Sequence, residues 1–294
     1  MSQKLLVTGA SGHLGRLVLD DLLARGVAAG DIIATTREVS KLADYAAKGI
    51  DVRKADYNDP ASLQVAFKSA DRLVLISTDA LDDKGTRIKQ HRDAVAAAKT
   101  AGVKHIIYTS LPNVETSKVI FAADHRLTEE AIEATGLGYT FLRNTWYQEN
   151  LLRNLPQVLA TGQWYTSAAD GRIAHVARAD CAAAIGAVLA SGVSEKATYT
   201  LTGSEARTTA EIAALVTEVT GRKIDVIQLT DEQLADGMKA AGVPGFLIPT
   251  LVSFEVAARA GDLSARTEDV EKLTGKRPTP LRAFLEANKS ALLS

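Results

Sequence analysis

The sequence predicts an α/β protein built on a doubly wound parallel sheet with a smaller, mostly helical C-terminal lobe. Three observations carry that expectation. Six short apolar runs alternate with longer helix-like segments before residue 150. Several of these runs carry Val, Ile and Leu on both faces, as strands covered on both sides require. Glycines then close the helical segments at Gly26, Gly49, Gly102 and Gly136, where a left-handed residue ends a helix at little cost.

Strands are expected at Lys4–Thr8, Asp31–Thr36, Ile50–Lys54, Arg72–Ser77, Val103–Thr109 and Gly138–Arg143. Helices are expected at His13–Arg25, Ser40–Lys48, Pro60–Lys68, Lys84–Ala101 and Lys118–Thr135. Asp59 before Pro60 is an N-cap followed by a first-turn proline. After Arg143 the rhythm changes. Trp146–Ala160 reads as a helix interrupted by Pro156, Ile173–Val176 as a short strand and Asp180–Ala190 as an alanine-rich helix. Thr198–Thr202 and Ile224–Leu229 read as strands flanking a helix at Thr209–Thr220. The remainder is mainly helical, with breaks at Gly242–Gly245 and Lys276–Pro280. No Pro/Ser-rich linker separates the two parts. The second part therefore reads as a lobe packed on the sheet rather than an independent module.

Composition narrows the class. The 294 residues carry 34 basic and 35 acidic side chains, a net charge of −1. That balance gives no electrostatic footprint for nucleic acid or an anionic membrane. One cysteine, Cys181, excludes an internal disulfide and a multi-cysteine zinc site. It reads as a packed helix residue, and a reducing cytoplasm is the simplest compartment. The five histidines lack H-E-x-x-H spacing, so no metal is expected. No window reaches the roughly 18 apolar residues of a membrane span, and the N-terminal apolar run is too short for a signal peptide.

The strongest motif is Thr8-Gly9-Ala10-Ser11-Gly12-His13-Leu14-Gly15, following the first strand and opening the first helix. Its spacing is G-x-x-G-x-x-G. Gly9 can turn tightly, Gly12 can let the backbone approach a pyrophosphate, and Gly15 permits helix to pack on strand. The free amides and dipole of the helix start then attract phosphates, with His13 and Leu14 contributing backbone. Residues 1–150 are accordingly expected to form a dinucleotide-binding domain and residues 151–294 a substrate-binding lobe. The second strand ends Thr35-Thr36-Arg37-Glu38. Arg37 stands where an acid would favour NAD, and its guanidinium can pair with a 2′-phosphate. Glu38, one residue further on, is the competing acid, and a solvated Arg37 is the plain alternative. Asp56, beside Tyr57, can accept from the adenine amino group or cap its own turn. Ser77 and Thr78 end the fourth strand, at the sheet edge where dinucleotides cross.

The glycine motif resembles that of the short-chain dehydrogenase/reductase superfamily, whose catalytic members carry Tyr-x-x-x-Lys after the fifth strand. None of the seven tyrosines has lysine four residues later; Phe121 and His125 occupy that spacing. Ala55-Asp56-Tyr57, Tyr108-Thr109-Ser110-Leu111, Arg178-Ala179-Asp180 and especially Leu142-Arg143-Asn144-Thr145-Trp146-Tyr147 are similar to the NmrA-like branch. Within it the chain is most similar to type 2 NAD(P)H:quinone oxidoreductases, whose relatives include triphenylmethane dye reductases. The resemblance implies a Rossmann fold, bound NADPH, no flavin, and direct hydride transfer to a small planar conjugated acceptor.

That implication suits the residues. A ketone reductase needs an acid beside the developing alkoxide, whereas a reduced quinone is a weak base that water can protonate. His125 can hydrogen-bond the nicotinamide ribose or an acceptor oxygen, or simply fill the lysine's space. Ser110, where the superfamily keeps a catalytic serine, can retain an oxygen-binding role. Asn144 can hold the carboxamide or an acceptor oxygen. Phe121, Trp146 and Tyr147 can wall a flat aromatic pocket, or pack as ordinary core. Two other readings stand beside quinone reduction: a dinucleotide-binding redox sensor without turnover, and a reductase of dyes or enones. A homodimer and a monomer are equally compatible with the sequence.

Overall fold

The computed structural model describes residues 3–82, 84–193 and 195–293. Seven parallel strands form the main sheet: β1 (Leu5–Val7), β2 (Ile32–Thr36), β3 (Asp51–Lys54), β4 (Arg72–Leu75), β5 (His105–Ser110), β6 (Gly138–Asn144) and β8 (Ala197–Leu201). Their spatial order is β3-β2-β1-β4-β5-β6-β8. The chain works outward from β1 to β3, then crosses back to lay β4 on the other side of β1. The carboxyl ends of β1 and β4 therefore bound the crevice where the winding reverses, the place such sheets offer to ligands.

Alternate residues of each strand feed two cores, as a period of two requires. Leu5 and Val7 join a layer with helices α1 (His13–Ala24) and α7 (Arg178–Ala190). Leu6 joins the opposite layer with α3 (Pro60–Ala66), α4 (Thr86–Thr100) and α5 (Ala122–Glu133). Strand β8 and helix α7 both come from beyond residue 150, so the sheet and its covering draw on both sides of that point.

The remaining chain builds its own apolar cluster. Helices α6 (Leu151–Thr161), α8 (Thr209–Thr220), α12 (Leu281–Ala287) and α13 (Lys289–Leu293) enclose it with Trp164. A two-stranded parallel sheet of β7 (Gln163–Thr166) and β9 (Asp225–Gln228) flanks it. Further helices are α9 (Asp231–Ala240), α10 (Ile248–Arg259) and α11 (Asp269–Thr274). No helix among the described residues is long and apolar enough to cross a membrane.

Several elements depart from expectation. Residues 39–46 form a 3₁₀ turn, Val39–Leu42, and a single α-turn, α2 (Ala43–Ala46), rather than one continuous helix. Helix α5 starts only at Ala122; the segment before it is irregular, with the amides of Lys118 and Ile120 donating to Asp262 Oδ2 at 2.7 Å and Ser253 Oγ at 3.2 Å. Trp146 and Tyr147 are not helical. The Val176 amide donates to Trp146 O, the Gln148 amide to Val176 O, and α6 follows at Leu151. The expected strand at 173–176 is reduced to single bridges, Tyr147 with Val176 and Ile173 with Arg207. Pro156 lies inside α6 without ending it. Leu151, Leu155, Val158 and Leu159 bury one face, which offsets the roughly 3 kcal/mol cost of an interior proline.

Arg72 joins the sheet to α7. It is 2% exposed, yet its guanidinium donates to Leu189 O (3.0 Å), Val188 O (2.8 Å) and Val193 O (2.6 Å). Val188 and Leu189 stand in the last turn of α7 and Val193 just beyond it; Val188 O also accepts from Ser191. Arg72→Leu should remove all three bonds, strand the carbonyls of Leu189 and Val193, and lower unfolding stability by about 2–4 kcal/mol. Urea denaturation measures this; a loss below about 0.5 kcal/mol would show that the carbonyls find other partners.

Candidate active site

The cleft is built from the end of β1. Thr8 Oγ1 donates to Val74 O (3.0 Å) and accepts from the Ile76 amide (2.9 Å), so its side chain ties β1 to β4. Gly9 turns the chain at φ +56, and the Ala10 amide reaches across to Thr35 O on β2 at 2.9 Å. At Gly15 a Cβ would stand 2.5 Å from Gly9 O and 2.6 Å from Ala10 Cα, so only glycine lets α1 start this close to the turn. Gly12 is the helix cap. It has no side chain to bond the first amides, and no acid stands in the first turn. That leaves the amides and dipole of α1 open to an anion. His13 is exposed beside this opening; the Leu14 side chain lies in the core, so only its backbone faces the turn.

Above the turn lies a cleft of about 260 Å³, lined by Thr8, Gly9, Ser11, Gly12, Thr36, Arg37, Asp56, Tyr57, Ser77 and Thr78. Asn58, Asp79 and Gln90, which the sequence did not single out, complete it. Ser11 Oγ and Thr36 Oγ1 bond to each other at 2.8 Å. Arg37 is exposed at the rim with no ion pair among the described residues. Glu38, the competing acid, bonds Lys41 at 2.9 Å and Ser40 at 3.2 Å and does not line the cleft. The Lys41 hydrogen bond holds its carboxyl below the usual carboxylate range. Asp56 Oδ1 accepts from the Asn58 amide at 2.9 Å, so the turn-capping reading is realised while the residue also lines the cleft. The Tyr57 hydroxyl donates to Ile76 O at 3.3 Å.

Beyond Ser77 and Thr78 the site turns polar and buried. The Ser77 amide donates to Thr109 Oγ1 (2.8 Å) and the Thr78 amide to His91 Nε2 (3.0 Å). With Nε2 accepting, His91 carries its proton on Nδ1, 2.9 Å from Thr128 Oγ1, which itself donates to Asp124 O. Thr78 Oγ1 is buried without a partner among the described residues. On the same cluster, His125 Nε2 lies 3.1 Å from Arg87 Nη2 and Nδ1 lies 2.8 Å from Tyr108 Oη. A guanidinium only donates, so Nε2 accepts and Nδ1 holds the proton. Burial, reinforced by the charge of Arg87, pushes the His125 pKa well below its ordinary value. His125 is thus a neutral imidazole with both nitrogens engaged by protein partners.

Ser110 is engaged as well. Its hydroxyl donates to Glu129 Oε1 at 2.6 Å, and that buried carboxylate also holds Arg143 at 2.6 Å. The serine serves this network, not the cleft. Asn144 Nδ2 donates to Tyr147 Oη at 2.9 Å, while Asn144 Oδ1 is buried without a partner among the described residues. Arg178 lies 5.0 Å over the Tyr147 ring. Two of the three expected aromatic residues, Phe121 and Trp146, fall in one cluster of rings. Trp146 and Phe254 are 3.8 Å apart between ring centroids, Phe254 and Phe121 5.7 Å, Phe121 and His125 5.7 Å. Phe254 comes from α10 and no sequence motif marked it. Arg87 and His91 did leave a signal: four residues apart, they share one face of α4.

Fold and cleft together define a dinucleotide-binding protein of the doubly wound class. Residues 1–282 match the NmrA-like family, and the chain belongs to that family. Quinone oxidoreductase 2 of Escherichia coli (strain K12) is 38% identical over 275 residues, covering 94% of this chain and 95% of that protein. The structure of the NADPH-dependent quinone oxidoreductase of E. coli complexed with NADPH superposes with a TM-score of 0.91 at 37% identity, covering 98% of this chain and 99% of that one. Citrobacter sp. triphenylmethane reductase complexed with NADP(H) gives a TM-score of 0.90 at 36% identity, covering 96% and 99%.

The buried histidines make the fold acid-sensitive. Burial pushes His91 down to about 3, and His105 and His175 down to about 4, from an ordinary 6.5. Below pH 6.5 the unfolded chain takes up protons that the folded one refuses. Stability is therefore full above that pH and falls as the pH drops toward 4, by about 1.4 kcal/mol per pH unit for each fully titrating histidine. Urea denaturation at pH 7 and pH 5 should show a loss of several kcal/mol; equal stabilities would refute burial of neutral imidazoles.

Proposed function

We propose that the protein is an NADPH-dependent reductase that passes hydride directly to a quinone or a similar planar conjugated acceptor, without flavin. One observation carries this reading. The dinucleotide cleft ends at Thr78, whose amide is joined through His91, Tyr108 and His125 to Phe121 of an aromatic cluster with Phe254 and Trp146, and that phenylalanine stands where a ketone reductase needs its acid. The uncapped start of α1 would hold the pyrophosphate, Arg37 the 2′-phosphate and Asp56 the adenine amino group. Thr78 Oγ1 and Asn144 Oδ1, buried acceptors without partners among the described residues, suit the hydroxyl and carboxamide donors of the nicotinamide riboside. When bound, the reduced nicotinamide supplies the hydride; the chain binds, orients and excludes water. The lobe formed mainly beyond residue 150 contributes Phe254 and would select the acceptor. A cytoplasmic location and a small-molecule partner fit this reading.

The absence of an acid facing the acceptor also suits a dinucleotide-binding sensor, so the decisive test is turnover. Purified, flavin-free protein should oxidise NADPH with small p-quinones or dyes and leave unactivated ketones untouched. Deuterium on the transferred position of the nicotinamide should slow single-turnover quinone reduction. Tight NADPH binding with no acceptor reduced would replace the reductase reading with the sensor.

Cofactor choice is tested separately. Arg37→Ala should weaken NADPH binding by about 1.5–3 kcal/mol, the range of a charge-assisted contact, and change NADH binding little. Equal losses by titration calorimetry would remove Arg37 from the 2′-phosphate.

A further inference from the structure

Arg87 is a buried cation that the fold leaves under-used. It is 7% exposed, in the first turn of α4, and has no ion pair among the described residues. Among the described residues its one hydrogen bond is to His125 Nε2, and its Nε–H is buried without an acceptor. Arg72, equally buried, shows what satisfaction looks like: three backbone carbonyls take its donors. The charged and titratable groups around Arg87 are Asp79 beyond β4, Asp124 and His125 of α5, Tyr108 of β5 and His91 of α4. Asp79 and Asp124 attract it only through space. A buried guanidinium with this little compensation is costly, and an anion is the partner that would offset the cost.

Its position indicates which anion. The guanidinium lies 4.9 Å over the ring of Phe121, which belongs to the aromatic wall through Phe254 and Trp146. At the start of α4 the Asp82 carboxylate accepts from the amides of Lys84 (3.0 Å) and Thr86 (3.4 Å), so the helix end is answered there and the cation offered to the wall is Arg87 itself. Resting on the reductase reading above, we propose that Arg87 is a catalytic residue. Its guanidinium binds the oxygen of the bound acceptor and stabilises the phenolate that hydride transfer creates. The step balances. The C–H bond of the reduced nicotinamide breaks, its hydrogen and electron pair form a new bond to the quinone, and oxidised cofactor and hydroquinone monoanion result. Water then protonates the monoanion. The acceptor goes from neutral to −1 beside a fixed cation, in a site that offers no proton from His125. A cationic triphenylmethane dye instead goes from +1 to neutral and forms no oxyanion. Arg87 therefore acts as a specificity determinant: it favours neutral acceptors that become anions and gives no such help to cationic ones.

The test uses the protein–NADP⁺ complex and 4-nitrophenol, whose phenolate absorbs separately from the phenol. In the wild type, bound 4-nitrophenol should titrate roughly 1–3 pH units below its value in water, the shift an opposite charge at contact distance produces. Arg87→Gln should abolish that shift and Arg87→Lys should restore much of it. In turnover, Arg87→Gln should lower kcat for a small p-quinone roughly 10²-fold, as loss of one oxyanion donor does, with a much smaller change for a cationic triphenylmethane dye. NADPH affinity and melting temperature serve as controls for folding. Failure of 4-nitrophenol to bind, or an unshifted or raised titration in the wild type, would overturn the proposal even if Arg87→Gln does not fold. So would equal losses with quinone and dye. If the wild type reduces neither acceptor, the reductase reading falls, and the phenol titration still judges Arg87 on its own.

Discussion

Helix α1 begins so close to the end of strand β1 that no side chain fits between them. This close approach at Gly15 orients everything in the cleft. It aims the free amides of α1 across the crevice instead of along the sheet surface. It also forces the tight turn at Gly9, which the Thr8 and Ala10 bonds then fasten to β4 and β2. Three strand ends are thus locked in register by backbone and one hydroxyl. Ser11, Thr36, Arg37, Asp56, Ser77 and Thr78 inherit their places from that arrangement.

The other half of the site rests on a different kind of order. Between β5, α4 and α5 the interior is polar: His91, Tyr108, His125, Thr128 and Arg87 are all buried. Such a cluster is tolerable only where nearly every donor meets an acceptor. His91 meets this condition by accepting from the Thr78 amide and donating to Thr128. The same bonds fix the strand end that enters the cleft. His125, at the lysine spacing, contacts both Arg87 and Phe121 and so ties α5 to α4 at the aromatic cluster.

What could be read from the sequence follows this division. The glycine turn is local, and each of its requirements lies within eight residues. Its residues and the flanking strands are therefore legible in the chain, as are Arg37, Asp56, Ser77 and Thr78 at the strand ends. Contacts across the lobes are not legible. The segment before α5 is bonded to Ser253 and Asp262, far along the chain. Phe254 enters the aromatic wall from a helix whose sequence gives no sign of it. The Ser110 hydroxyl is claimed by Glu129, a pairing that strand and helix positions alone do not announce. Strand β7 has only four residues, and its alternation is indistinct without its partner β9.

The two halves also differ in how freely they can vary. A change at Gly15 meets backbone atoms, which cannot move without moving β1. The aromatic cluster proposed to face the acceptor is assembled from side chains of α4, α5, α10 and the segment after β6, each supported by its own helix or turn. Substituting Trp146 or Phe254 reshapes the wall while the cofactor half stays fixed. A change at position 87 would alter the charge offered to the acceptor without touching the phosphate cradle. The fold thus holds the hydride donor by constraint and leaves the acceptor to packing and charge. Reducing agents for neutral quinones and for cationic dyes can therefore share one backbone, differing at the few residues that face the acceptor.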